Sequence, residues 1–358
     1  MRPKLRRSTL EKLLQVSDID ALSGAELLEL FREDINTNHR PSDLVYEDPR
    51  SGERVVYSTA RSVRPHDYPV EQTEAAVDEE GCIICQGKTT GVVDVAELSE
   101  GFTFINKNLY PAFYPFDSSG SSGLHLLQWT SSCHDVDWHN MNPEDAGIVM
   151  SRLAVLERSL LSTTLPGQGV DAERFVSIIK NYGAVVGSSL KHGHQQIMLT
   201  NVQPGSAKLQ RAFLRERGET FADFMVRENP EELIVQDYGP ALLVVPGFMR
   251  RPYVMMLFIK DTQKAYIHEL TPDETSAVAR GWCDATRGYH DLMPRIGKEV
   301  AYNILTYNGP GAGLYFEFLP YTQTLGGLER MGLYICTELP KVAARRLRAI
   351  VSDGEAMT

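Results

Sequence analysis

No stretch of this sequence approaches the roughly 18 consecutive apolar residues of a membrane span, although 42% of its 358 residues are hydrophobic. That apolar content belongs to a globular core, and the length suffices for two cores of ordinary domain size or one large duplicated one. Positive charge is in short supply: 36 Lys and Arg face 47 Asp and Glu, a formal net charge of -11. Binding nucleic acid or an anionic membrane needs a basic surface, so neither partner is expected. Any phosphate has to be held by local basic residues. Cysteine is sparse and odd in number, at five. The basic start, Met1 to Arg7, is not followed by an apolar segment of about 7–15 residues such as a secretory signal carries. The expectation is a reducing cytoplasm, with thiols free for metal.

The chemistry that is present concentrates between Asn181 and Thr200. From Gln195 the residues read as a buried strand, and side chains two apart on a strand share a face. His192, His194 and Gln196 therefore form one row, with neighbours about 6.5–7 Å apart at a rise of about 3.3 Å per residue. Upstream, Gly183 and Gly187 bracket a turn where the backbone can approach a ligand closely. Ser188 and Ser189 add hydroxyl donors. Two imidazoles, an amide and two hydroxyls beside a glycine turn point to phosphate chemistry rather than acyl chemistry.

Residues 8–34 read as a helix added to the core, with Ser23 and Glu26 as a capping box and Leu27, Leu28 and Phe31 on one face. A turn at Asp48 to Gly52 and a short strand lead to Arg61 and Arg64. Such a pair is either solvated surface charge or a bidentate clamp for phosphate, and the local pattern does not choose. Cys82-Ile83-Ile84-Cys85 is a C-x-x-C knuckle of the kind that grips zinc. A redox role is the competing reading, but no thioredoxin-like βαβ pattern surrounds it. A single C-x-x-C must find its other ligands elsewhere, and Cys133 and His134, just after a strand at 124–129, are both eligible.

Strand 102–105 ends at Asn106. Asn142 caps a long helix with Pro143 at its first position, acids in its first turn, and Ile148, Leu153, Leu156 and Leu160 on its buried side. A strand at 175–180 follows, then the His192 stretch and a break near 202–205. The second half repeats the order: a strand at 254–259, a helix capped at Thr271, and strands at 301–305 and 314–319. An internal duplication is inferred. Where the first copy carries His192 and His194, the second has Gly313 and Tyr315, followed by Glu317.

In this order the motifs resemble the galactose-1-phosphate uridylyltransferase family, a branch of the histidine-triad superfamily. The matching elements are Asp48-Pro49 with Gly52, Arg61 and Arg64-Pro65; Cys82 and Cys85; the strand ending at Asn106; Ser131 and His134; and Asn181, Gly183, Gly187, Ser189, His192, His194 and Gln196. Glu317, Pro320 and the run Gly326 to Glu329 look like the family's C-terminal elements, so the likeness covers roughly residues 45–350. It implies an α+β fold of duplicated histidine-triad-like halves, each an antiparallel sheet with a long helix packed on it. The halves would be a catalytic one with a zinc site at 45–205 and a degenerate one at 206–358, after an N-terminal helical extension at 1–44.

The resemblance also implies roles. His194 would attack the α-phosphorus of a nucleoside diphosphate sugar, and a sugar 1-phosphate would discharge the nucleotidyl-histidine. Gln196 would stabilise that intermediate and Ser189 would donate to the departing phosphate. Arg61 and Arg64 would bind phosphate, while Asn106 and Asn181 would contact the nucleotide. Cys82, Cys85, His134 and His192 would hold one structural zinc per chain. The implied partners are a nucleotide sugar and a sugar phosphate or phosphate, and the implied assembly is a homodimer. An alternative is a phosphorylase of nucleotide sugars or dinucleoside polyphosphates, which takes inorganic phosphate as acceptor; an alternative of another class is a non-catalytic nucleotide-binding protein.

Physical chemistry fits that division of roles. Anionic oxygens around phosphorus repel an anionic nucleophile, whereas a neutral imidazole near pH 7 escapes the repulsion and gives a labile adduct. The nitrogen that does not attack must be held, and a backbone carbonyl near Asn181 to Gly183 is the expected acceptor. An H-x-H pair can instead chelate one zinc, making Cys82, Cys85, His192 and His194 a closed site with no nucleophile. Such a site has no use for Gln196, Ser189 or the arginine pair, and these weigh for catalysis. Gly193 stands where the family usually has Pro, Lys191 adds a cation, and the second half has lost its H-x-H. A divergent member is expected, with a different sugar or acceptor.

Overall fold

The computed structural model describes residues 5–16, 18–33, 40, 43–47, 54–56, 81–89, 91–116, 120–169 and 172–355. Helices α1 (Arg7–Glu11) and α2 (Gly24–Glu33) come first, so the single helix expected over 8–34 is broken. The cause is the capping residue itself. Ser23 Oγ accepts the N–H of Glu26 while the Glu26 carboxylate accepts the N–H of Ser23 at 2.8 Å. An N-cap of this kind starts a helix and does not sit inside one. Between the two helices, Leu14 makes a parallel bridge to Val92, and the N–H of Gln15 donates to the Val92 carbonyl. Leu5 and Leu10 share one buried cluster with Cys82, Ile84, Phe104 and Trp129. The N-terminal segment thus contributes to the core around the cysteine knuckle.

The chain continues through β1 (Val45–Glu47), β2 (Arg54–Val56), β3 (Val92–Glu97), β4 (Phe102–Lys107), β5 (Gly123–Trp129), α3 (Pro143–Ser162), β6 (Phe175–Tyr182) and β7 (His194–Thr200). After these come α4 (Gly205–Arg217), α5 (Phe221–Glu228), β8 (Ile234–Asp237), β9 (Ala241–Val244), β10 (Met255–Ile259), α6 (Pro272–Arg295), β11 (Tyr302–Tyr307), β12 (Tyr315–Pro320), α7 (Gly327–Arg330) and α8 (Pro340–Glu355). The fold is α+β. Two compact units divide it: one holds residues 1–136, 151–178 and 189–209, the other 137–150, 179–188 and 210–358.

In the first unit the strand order is β3-β4-β5-β7 and then β6, of which residues 175–178 belong to this unit, with antiparallel pairing from β3 through β7. In the second it is β8-β9-β10-β12-β11, again antiparallel. Each is a three-stranded meander, a long helix, and a hairpin whose second strand inserts beside the meander. The first strand of each meander even carries a register irregularity, at Val92/Asp94 and at Ile234/Gln236. The long helices start where their caps place them, at Asn142 and Thr271. In the second unit α6 lies against β10 through Gly281, where a Cβ would sit 2.7 Å from the Leu257 side chain.

A buried ion pair stands out in the second unit. Lys180 Nζ lies 2.7 Å from the Asp137 carboxylate, with both side chains almost wholly buried. Burial pushes the Asp137 carboxyl up, but the Lys180 ammonium outweighs it and holds the group below its ordinary value. The stability it contributes is therefore present at neutral pH and is lost as pH falls through the folded-state value, below the ordinary carboxylate range. Removing one partner leaves the other charged and uncompensated. Lys180→Met should cost about 3–5 kcal/mol in urea unfolding, and the double variant Asp137→Asn/Lys180→Met should recover most of that loss. A single variant as stable as the parent would mean that the pair is not formed.

Candidate active site and metal cluster

The Cys82 to Gly87 turn is closed by backbone bonds from Gln86 N–H to the Cys82 carbonyl and from Gly87 N–H to the Ile84 carbonyl, which points both thiols to one side. His134 arrives on the loop after β5, and His192 on the bend before β7. One ligand atom from each of Cys82, Cys85, His134 and His192 lies within 4.8 Å of all the others. His192 Nδ1 is 3.7 Å from Cys82 Sγ and 3.5 Å from Cys85 Sγ, and His134 Nδ1 is 3.5 Å from Cys85 Sγ. A tetrahedral zinc with ordinary Zn–S and Zn–N bonds has ligand–ligand edges of about 3.3–3.8 Å, so the cluster can bind a metal of that size. Hydrogen bonding with Cys85 holds the Cys82 thiol far below its ordinary value against the opposing effect of burial, and His134 and His192 add to this. The Nε2–H of His192 donates to the Ser131 carbonyl at 2.8 Å, which turns Nδ1 toward the two thiols. Cys133, the other sequence candidate, is buried outside the cluster.

His194 is not a member of this cluster. It opens β7, whereas His192 precedes the strand, so the expected row of three is only two long: His194 and Gln196. His194 Nδ1–H donates to the carbonyl of His192 at 2.9 Å. That corrects the acceptor expected near Asn181 to Gly183; the bend before β7 turns the His192 carbonyl back under the ring two residues on.

Strand register builds the surroundings. Trp129 pairs with His194 and Leu127 with Gln196 across β5 and β7, while Phe104 pairs with Trp129 and Asn106 with Leu127 across β4 and β5. Directly opposed residues share a face, so His194, Gln196, Trp129, Leu127 and Asn106 converge on one cavity of about 260 Å³. Ser189 and Leu190 border it, as do Ile83, Ile84, Lys88 and Thr89 from the knuckle and Asn108, Leu109 and Tyr110 from the loop after β4. The His194 ring lies 4.9 Å from the Trp129 ring, tilted 37°. On the other face Gln195 donates to Gln128 at 2.7 Å, and both are fully buried.

Asn106 reaches the cavity, but its amide holds protein groups. Oδ1 accepts from Trp129 Nε1 at 2.7 Å, and Nδ2 donates to Thr89 Oγ1 at 2.7 Å and to the Lys107 carbonyl at 2.9 Å. Asn181 belongs to the second unit, where its Oδ1 accepts from Asn303 Nδ2 at 2.7 Å; the same Asn303 amide donates to the Val186 carbonyl. Gly183 there has φ +96°, and a Cβ would meet Ala301 at 2.7 Å. Arg61 and Arg64 lie outside the described residues. Trp129, Thr89, Lys88 and Asn108 to Tyr110 were missed in the sequence, where only strand register could have joined them to His194.

An ADP-glucose phosphorylase of Arabidopsis thaliana is 21% identical to this chain over 341 residues, covering 85% of this chain and 92% of that one. A galactose-1-phosphate uridylyltransferase of Hypocrea jecorina is 24% identical over 291 residues, covering 69% and 75%. A solved uridylyltransferase structure superposes with a TM-score of 0.67 at 18% identity, over 87% of this chain and 99% of its own. No model of a known family matches. The fold is therefore that of the uridylyltransferases. In sequence and fold the chain is similar to the galactose-1-phosphate uridylyltransferase family, at the low identity of a divergent relative, and the relatives it matches are enzymes. No helix among the described residues is long and apolar enough to cross a membrane.

The role found for Asn106 has a measurable consequence. Asn106→Ala strips a buried partner from Trp129 Nε1 and from Thr89, and should cost about 1–3 kcal/mol in chemical denaturation. An unchanged midpoint would mean that neither bond contributes.

Proposed function

We propose that the protein is an enzyme that removes a nucleoside monophosphate from a nucleotide sugar through a covalent adduct on His194. His194 Nε2 attacks the α-phosphorus, the bond from that phosphorus to the bridging oxygen breaks, and a sugar 1-phosphate leaves. An oxygen of an acceptor sugar 1-phosphate then attacks the same phosphorus, the P–N bond breaks, and neutral imidazole returns. The observation that carries this reading is the His194 ring, held through Nδ1 by the His192 carbonyl and lining the cavity outside the Cys/His cluster.

In this reading Gln196, on the same strand face, donates to the phosphoryl oxygens as charge develops. Ser189 donates to the departing phosphate, and Arg61 and Arg64 supply positive charge that an acidic chain otherwise lacks. Cys82, Cys85, His134 and His192 hold one zinc per chain; four protein ligands close the site, so its contribution is structural. A cytoplasmic homodimer is part of the same reading, on the family's likeness. A second reading replaces the acceptor with inorganic phosphate. It is favoured by the larger share of the chain matched by the ADP-glucose phosphorylase.

The test is the intact mass of the protein after incubation with ADP-glucose or UDP-glucose. One added nucleoside monophosphate is expected, and His194→Ala should show none while keeping the parent's zinc content and melting temperature. Gln196→Ala should slow formation and discharge of the adduct, by about 10²–10³-fold. Chasing the adduct with glucose 1-phosphate, galactose 1-phosphate or inorganic phosphate separates the two acceptors. Cys85→Ser should lose zinc and stability together. If His194→Ala instead sheds zinc like Cys85→Ser, His194 is a ligand and the covalent route is abandoned.

A further inference from the structure

His125 sits in the middle of β5, between Leu124 and Leu126, and is fully buried. An imidazole in that position has to find partners inside the protein, and it reaches the segment 108–112. Its Nδ1 accepts the backbone N–H of Ala112 at 2.9 Å. Its Nε2 then carries the ring proton and packs 3.1 Å from the Asn108 side-chain Nδ2, a contact between two donors and not a hydrogen bond. Its backbone carbonyl accepts the N–H of Asn108 at 2.9 Å. Asn108 in turn accepts the N–H of Tyr110 through Oδ1 at 2.9 Å. The residues spanned by these bonds, Asn108, Leu109 and Tyr110, form one wall of the cavity that holds His194. His125 itself does not border that cavity.

We infer that His125 is a positioning residue: it holds the Asn108–Tyr110 wall in shape and thereby sets the affinity for the nucleotide, without acting in the chemical step. The inference rests on the proposed nucleotidyl transfer. Its physical basis is that loops carry their own conformational entropy cost on binding, and a wall already fixed by buried hydrogen bonds does not pay it again. Because the ring touches the wall and not His194, its loss should appear in binding and not in turnover. The ring is also distinct from the cluster of Cys82, Cys85, His134 and His192, so metal retention separates this role from a general failure of the fold.

The experiment compares His125→Leu, which keeps the buried volume and removes both nitrogens, with His125→Gln, which keeps a polar group of similar reach. Hydrogen–deuterium exchange of the peptide spanning 108–112, zinc content, melting temperature, and Kd, KM and kcat for ADP-glucose and UDP-glucose are measured side by side. His125→Leu should exchange faster by about tenfold or more at 108–112 and bind the nucleotide sugar about tenfold more weakly, the equivalent of about one lost hydrogen bond. Its kcat and zinc content should stay near the parent's, and His125→Gln should recover part of both losses. Unchanged exchange at 108–112 overturns the positioning role whether or not the protein turns over nucleotide sugars. Faster exchange with an unchanged Kd overturns the link to affinity. Loss of kcat at unchanged KM, or loss of zinc, overturns it as well. Failure of the parent to bind any nucleotide sugar would refute the proposed function instead, and the exchange result would still decide the positioning role.

Discussion

The arrangement depends on one residue engaged at both of its ends. The His192 ring is fixed in the Cys/His cluster, with Nε2 tied to the Ser131 carbonyl, while its own backbone carbonyl takes the Nδ1–H of His194. A residue anchored through its side chain makes a better-placed backbone acceptor than a free loop carbonyl does, because its peptide has little freedom to rotate. The orientation of the His194 ring is thus inherited from the cluster through a single peptide unit.

The rest of the first unit secures that relation from the sides. Register across β4, β5 and β7 lines up Phe104, Trp129 and His194 in one row and Asn106, Leu127 and Gln196 in the next. Trp129 backs the His194 ring and is itself fixed by Asn106 through its indole N–H. Behind the cavity, the N-terminal segment packs Leu5 and Leu10 on the knuckle, and the Leu5 N–H donates to the Ser132 carbonyl beside the residue that orients His192. Lys107, next to Asn106, turns away from the cavity to the Leu30 carbonyl of α2. Segments distant in sequence therefore meet at the two loops that carry His134 and His192.

Much of this was legible because it is local. Capping boxes at Ser23 and Thr271, the C-x-x-C knuckle, and the spacing of His194 and Gln196 each depend on residues within a few positions of one another. The duplicated order of strand, helix, strand, strand was visible for the same reason, although the short strands β3, β8 and β9 passed unnoticed: their apolar runs are brief and two of them are kinked. His134 needed the family likeness, since a lone histidine after a strand carries no local signature. What could not be read was anything set by register. Trp129 and Leu127 become cavity residues only because β5 pairs with β7 at one alignment, and a shift by one residue would turn them to the opposite face. The helix expected over 8–34 is broken because its apolar periodicity continues through a capping serine, and the cap starts a new helix.

In the second unit Tyr315 opens β12 as His194 opens β7, and it faces Phe258 where His194 faces Trp129. There the surface is filled: Ala222 and Met225 of α5 pack with Tyr315, Phe258 and Met256, and Tyr315 stacks on Tyr307 at 4.6 Å. The two copies consequently answer to different selection. At the filled copy the demand is volume, so exchanges among bulky apolar and aromatic residues will drift with little consequence. At the open copy the proposed reaction puts the demand on atom positions and proton-bearing nitrogens, where a change of shape too small to register in stability is still felt. Over long divergence the filled half should lose its likeness to relatives first, leaving the open half as the part by which this lineage can still be recognised.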